Sequence, residues 1–323
     1  KRISAEGTDS GMKSKLLVVG GCYMETVLWV DAIPTADMVV SENNSYTNRP
    51  GGRGGCAAVA AARMGLDVSV CGVVGKDASG TKLIGYYNEN GVDTSYLTTD
   101  RRPTGLSVHI HENSFSTDRK ILCTGANAAI HADQISRAME ATFDAVFLST
   151  DLPHELLCDA THNARINGLP VYLDAAGVRP TAALGKLENV ELFITDIPGV
   201  RSMTGITVNN PERCLPAAIA LSGKIRAKYY VIRLVTGGTF IYDGKYQYHI
   251  IPCTLDGKCV GAPIDTEAAA ISAAYLSTGD IRNSCALASV MAKMAREDPK
   301  IRIPSIAQAV DYCKFNNIHF NNR

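Results

Sequence analysis

Residues Pro50-Gly51-Gly52-Arg53-Gly54-Gly55-Cys56 place four glycines in five positions and run straight into Ala57-Ala58-Val59-Ala60-Ala61-Ala62-Arg63, a helix of very small residues. Glycine tolerates positive φ and carries no Cβ, so backbone can come close to a ligand here, while the alanines favour helix and tight packing. A tight loop feeding a buried helix is the other reading of the same residues. Asp265 opens a second small-residue helix, Thr266 to Leu276, at a position where aspartate is a preferred cap. His109 and His111 fall on one face of a strand. The ten cysteines and seven histidines are scattered, without a Cys-x-x-Cys pair, so His and Cys spell no metal site and the thiols suit a reducing cytosol.

These residues need elements to position them. Lys15-Leu16-Leu17-Val18-Val19-Gly20-Gly21 reads as a buried strand ending in glycines, and Asp67 to Gly80 reads as strand and then turn. Further on, Phe143 to Ser149, Val171 to Asp174, Leu192 to Thr195 and Tyr229 to Leu234 are short apolar runs. Helix-like stretches such as Pro153 to Asn167 and Pro211 to Ser222 lie between them. That alternation predicts an α/β fold with a mainly parallel central sheet and helices on both faces. Between 22 and 50, and again between 103 and 124, strands such as Met38-Val39-Val40, Leu106 to Ile110 and Lys120 to Cys123 follow one another without helices.

The glycine cluster, its flanking strands, Gly91-Val92-Asp93-Thr94, Thr104-Gly105 and Gly125-Ala126-Asn127 together resemble the ribokinase branch of the phosphofructokinase-B carbohydrate kinase family, from about Lys15 to about Cys313. The resemblance implies a ribokinase-like domain over 15–323, behind an N-terminal tail or cloning remnant at 1–14. Its lid segments, at about 22–50 and 103–124, would form a small β lid over the sugar site and serve for dimerisation. It implies ATP and Mg2+ as cofactors and a sugar or nucleoside as substrate. Asp265 becomes the base that takes the sugar hydroxyl proton, and Gly261, Ala262 and Ile264 fall at the anion hole. Glu25, Gly51, Gly52, Arg53 and Cys56 fall at the sugar, with Asp265 at the floor of that pocket, and Asp196, Thr236 and Gly238 fall at the nucleotide and its magnesium.

Several positions depart from the family's pattern. Its Gly-Ala-Gly before the base aligns with Ala262-Pro263-Ile264, where proline has no N–H to give a phosphate and isoleucine resists positive φ; a one-residue shift makes Gly261-Ala262 the cradle instead. Cys259 stands for an aspartate, and Asp196 with Gly199 stands where the family has an Asn-x-x-Glu pair. Glu25 is one methylene longer than the family's aspartate, Cys56 replaces an asparagine, and Arg53 replaces a lysine. Two functions of different class therefore stand side by side: an ATP-dependent kinase, and a pseudokinase that keeps the fold as a binding or interaction module. A dinucleotide enzyme is disfavoured, because Gly20-Gly21 after the first strand is not Gly-x-Gly-x-x-Gly.

Composition narrows the classes further. Lysine plus arginine equals aspartate plus glutamate at 32 each in 323 residues, and no basic tract stands out, which argues against nucleic acid and against an anionic membrane surface. Apolar runs are too short to cross a bilayer and residues 1–14 are polar, so the expectation is a cytoplasmic protein without membrane contact.

Overall fold

The computed structural model describes residues 13–33, 46–112, 117–176, 184–234, 238–250, 263–297 and 303–316. In chain order these form β1 (Lys15–Val19), β2 (Tyr23–Val30), β3 (Tyr46–Gly51), α1 (Arg53–Arg63), β4 (Asp67–Gly75), α2 (Ala78–Glu89), β5 (Val92–Asp93), β6 (Leu97–Asp100), β7 (Gly105–Glu112) and β8 (Thr117–Cys123). The second half adds α3 (Ala132–Met139), β9 (Ala145–Ser149), α4 (His154–Ile166), β10 (Val171–Asp174), β11 (Val190–Asp196), α5 (Ile197–Thr204) and α6 (Cys214–Ser222). It closes with β12 (Ala227–Leu234), β13 (Gly238–Tyr242), β14 (Gln247–Ile250), α7 (Pro263–Thr278), α8 (Ile281–Glu297) and α9 (Ile306–Phe315).

Continuous apolar strands need cover on both faces, and β1 shows how they get it. Leu16 and Val18 point into one cluster with α1, α7 and α8, while Leu17 and Val19 point into another with α3, α4, α5 and α6. The body sheet runs β14-β13-β12-β11-β10-β9-β1-β4-β5, with β6 paired to β4. It is parallel from β12 to β6, and β13 and β14 extend it antiparallel. The expected α/β architecture with helices on both faces is therefore present.

The lid is a second sheet of order β3-β2-β7-β8. β2 pairs with β7 in parallel, and the outer pairs are antiparallel. Two polar clamps fix where it leaves the body. The Asn127 side chain accepts from Cys22 N–H at 2.8 Å and donates to Cys22 C=O at 2.9 Å. Asp77 caps α2 through Gly80 N–H (2.7 Å) and receives the Thr104 N–H and O–H at 2.7 and 2.6 Å; these bonds, the Thr104 hydroxyl first, hold its carboxyl below the usual carboxylate range.

Two local expectations change. The helix expected to open at Asp265 begins at Pro263, whose fixed φ and missing N–H suit the first helical position. Pro211–Arg213 is a separate 3₁₀ turn ahead of α6. The expected strand Met38 to Val40 lies outside the described residues.

Candidate functional site

In an open α/β sheet, ligands settle outside the carboxyl ends of the strands, where successive connections leave to opposite faces. Here that crevice lies between β1 and β9: α1 packs on one face of the sheet and α4 on the other. The chain leaves β1 through Gly20-Gly21 and leaves β9 through Ser149-Thr150-Asp151. Gly21 N–H donates to Asp151 Oδ2 at 3.2 Å, and the Ser149 hydroxyl donates to Asp151 Oδ1. Asp151 is thus a carboxylate held at the crevice by two donors. Sequence reasoning missed it, although its place just past an apolar strand is the signal that could have found it.

The glycine cluster divides into two uses. Gly54 lies inside α1, and a Cβ there would come 2.5 Å from the Gly20 carbonyl carbon, so its role is close packing of helix on strand end. Gly55 likewise presses on the Tyr87 ring hydroxyl. Gly52, the residue before α1, holds φ +82° against Gly21 C=O and Tyr23, a turn that favours glycine. Gly51 lies under the Glu25 side chain, where a Cβ would meet Glu25 Cγ at 2.3 Å.

Glu25 is buried, and it does not stand alone. Arg49 Nε donates to Glu25 Oε2 at 3.2 Å, His109 Nε2 lies 3.8 Å from Oε1, and the Ser107 hydroxyl lies 2.9 Å from His109 Nε2. Burial, with Lys120 and Arg49 nearby, pulls the His109 pKa down to about 4, so its contact with Glu25 is not an ion pair at neutral pH. The structure therefore brings Glu25, Gly51 and Gly52 to the lid–body junction, beside the start of α1 at Arg53. Cys56 sits deeper, buried within α1 close to Cys22 and Tyr87. Burial pushes the Cys22 and Cys71 thiols up to about 12, which keeps these two neighbours protonated.

Across the same edge, β10 and β11 end in Asp174 and Asp196, and Arg233 is the last residue but one of β12. Arg233 Nη2 reaches past the end of β11 to Asp174 Oδ1 at 3.6 Å, and both side chains are buried. Asp196 caps α5 by accepting Gly199 N–H at 2.7 Å. Gly238 opens β13 at φ +77°, opposite Leu234. Thr236, Gly261 and Ala262 lie outside the described residues. Ile264 and Asp265 are in the first turn of α7, so the alignment does not demand positive φ of Ile264; Asn189 is the one positive-φ residue other than glycine among the described residues. α7 packs along α1.

A cavity of about 780 Å3 lies away from this edge, lined by Arg165, Glu188, Glu191, Arg226 and Lys228 among others. It borders the opposite ends of the strands. Lys228 there donates to Glu191 (2.6 Å) and Tyr275 (2.9 Å), and Arg165 pairs with Glu188, so its charges are largely satisfied as structure. Among the described residues no group of three His, Cys, Asp or Glu forms a metal cluster, and no helix is long and apolar enough to cross a membrane.

A family model described as pfkB family carbohydrate kinase matches residues 13–307. The chain belongs to that family. Ribokinase of Haemophilus influenzae is 27% identical over 264 residues, covering 80% of this chain and 82% of that protein. Ribokinase of Bacillus subtilis is 30% identical over 171 residues, 51% of this chain, and that match spans about half of the relative's own length (56%). The structure of Arabidopsis thaliana ribokinase complexed with ribose and ATP superposes with a TM-score of 0.78 at 18% identity, over 94% of this chain and 100% of that one, a likeness of fold. The ribokinase-like fold expected from the glycine cluster and its flanking strands is thus shown.

Proposed function

We propose that this pfkB-family protein is an ATP-dependent kinase that transfers a phosphoryl group to a hydroxyl of a sugar or nucleoside bound between the lid and the β1–β9 crevice. The observation that carries the reading is the convergence at that crevice of the start of α1, the lid's buried Glu25 and the doubly held Asp151. Hydroxyl groups need fixed acceptors, and carboxylates held by their own donors provide them with little reorganisation.

Asp265, in the first turn of α7, is the group assigned to receive the hydroxyl proton. The first-turn N–H groups of a helix favour an anion, so Ile264 and Asp265 backbone donors would face the transferring phosphoryl, while Pro263 offers none. Gly238 at its positive φ would let the start of β13 lie close to the nucleotide, with Thr236, two residues earlier in the sequence, assigned to it by the resemblance. The donor chemistry of Asp196, a carboxylate at the same edge, suits a hard cation, so Asp196 would hold Mg2+ through water when the nucleotide is bound, neutralising phosphate charge.

The test is binding and turnover together. MgATP with pentoses, hexoses and nucleosides should give ADP release for at least one acceptor, and Asp265→Asn should keep acceptor binding while lowering kcat by about 10²–10⁴-fold. Binding without turnover in the unaltered protein would leave the module reading in its place.

A further inference from the structure

We propose that the acceptor is a nucleoside, its ribose held at Glu25 and Asp151 and its base lying on Trp29 and His111 at the far end of the lid; this rests on the kinase reading of the site. Strand alternation and register put Glu25, Val27 and Trp29 of β2 on one side of the lid, beside Ser107, His109 and His111 of β7. Glu25, Val27 and Ser107 are buried while Leu106, on the opposite side, is exposed, so β2 and β7 turn this side to the body. Leu122 shares the side and is exposed, at the β8 edge.

That side changes character along its length. Nearest the body, the row of Arg49, Glu25 and Ser107 offers polar groups, and Arg49 fixes the Glu25 carboxylate where it can accept from a sugar hydroxyl. Val27 beside His109 comes next, and then Trp29 beside His111. The Trp29 and His111 rings stack at 6.0 Å between centroids with 25° between their planes, and His109 lies 6.5 Å from His111. Rows two residues apart along a strand stand about 6.6 Å apart, so the rings begin where a base carried by that ribose would lie. Trp29 is half-buried and packs into neither hydrophobic cluster of the body; among the described residues, His111 is the ring that meets it. A large aromatic left out of the core, on the inner side of a lid and continuous with a hydroxyl-binding row, is a platform for a planar ring. Charge does not choose the ligand here. By register the side carries Arg49 and Lys120 as well as Glu25 and Asp118, and His109 is uncharged at neutral pH. A free pentose would leave the Trp29 row without a partner, whereas a nucleoside would reach it.

Trp29 is the single tryptophan of the chain, so its fluorescence reports on this row alone. Titration with ribose, methyl β-riboside, uridine and inosine, in the absence of nucleotide, should quench it with the nucleosides only. Calorimetry should show at least one nucleoside binding about 10-fold or more tighter than methyl β-riboside. Trp29→Leu should weaken that nucleoside by about 5–100-fold, the loss of one base–aromatic stack, while methyl β-riboside binds as before. Trp29→Phe should keep part of the preference. With MgATP, the Trp29→Leu loss should fall on KM far more than on kcat. Equal binding of methyl β-riboside and the nucleosides, fluorescence unmoved by a bound nucleoside, a preference undiminished in Trp29→Leu, an equal loss of riboside and nucleoside in that variant, or no binding by any probe overturns the inference. Nucleoside binding that quenches Trp29 but releases no ADP with MgATP would sink the kinase reading alone, and rapid turnover of ribose with no nucleoside preference would sink this inference alone.

Discussion

Asp265 and Pro263 share the first turn of α7, and the two residues pull the proposed chemistry in opposite directions. In the proposed chemistry Asp265 would take the proton, while proline withholds one of the backbone donors that a helix start offers to an anion. Loss of one such donor elsewhere costs about 2.7–4 kcal/mol of transition-state stabilisation, or about 10²–10³ in kcat. Pro263→Ala should therefore raise kcat by a factor approaching that range, measured as ADP release at saturating acceptor. An unchanged kcat would show that Gly261-Ala262 make the cradle.

His109 carries a second residue-scale consequence. Its pKa in the folded protein is pulled to about 4 from 6.5, chiefly by burial and also by Lys120, Arg49 and His111, with Glu25 opposing. Between those values the unfolded chain binds a proton that the folded one refuses, so stability is full above about pH 6.5 and falls as the pH drops toward 4. The loss is about 1–2 kcal/mol once solvent screening at a partly accessible ring is allowed for. Melting curves from pH 7.5 to 4.5 should show a decline that His109→Gln lacks; parallel curves for the two proteins would refute the assignment.

At the scale of elements, the joint between α1 and β1 governs the site, because it sets the start of α1 over Gly20-Gly21. Helix propensity favours Gly54→Ala by about 1 kcal/mol, but its Cβ would lie 2.5 Å from Gly20 backbone, which cannot swing aside. Overpacking of this kind costs about 1–3 kcal/mol, so packing outweighs propensity and Gly54→Ala should lower Tm. Gly85 in α2 is the control: a Cβ there meets nothing within 4 Å, and Gly85→Ala should stabilise by about 0.5–1 kcal/mol. The same joint shows what the sequence could reveal. The glycine cluster announced a close approach, but only coordinates divide it into a turn glycine at 52, a glycine at 51 beneath the Glu25 side chain and packing glycines at 54 and 55. Apolar runs such as Val171 to Asp174 were legible as strands because they are buried on both faces. β13 and β14 were not, being a short antiparallel edge whose last strand, Gln247–Ile250, alternates between exposed and half-buried side chains. Asp151, Arg49 and the Asp174–Arg233 pair escaped because they act across the fold, between residues far apart in sequence.

At the scale of the whole molecule, the body and the lid are built on different terms. The body sheet is covered by helices on both faces, whereas the lid buries Glu25 and Ser107 on one side, with Leu122 exposed at its β8 edge, and leaves Leu106 and Ile121 exposed on the other, with Ile121 at 55%. Ile121 pairs with Val108 and Leu106 with Cys123, so these residues share one outward face near the lid edge formed by β8. A sheet with an uncovered apolar face is marginal alone, and a second copy of the same lid would cover it symmetrically. We propose that a homodimer forms through this face. Light scattering during size exclusion should give twice the chain's 34.5 kDa, and Ile121→Arg should shift it to the monomer by placing a charge at the centre of the contact. Because Ile121 faces away from Glu25, Arg49 and His109, the variant should still bind acceptor through those groups. A protein that runs as a monomer at every concentration, with Ile121→Arg indistinguishable from it, would place the lid's outer face outside any self-association.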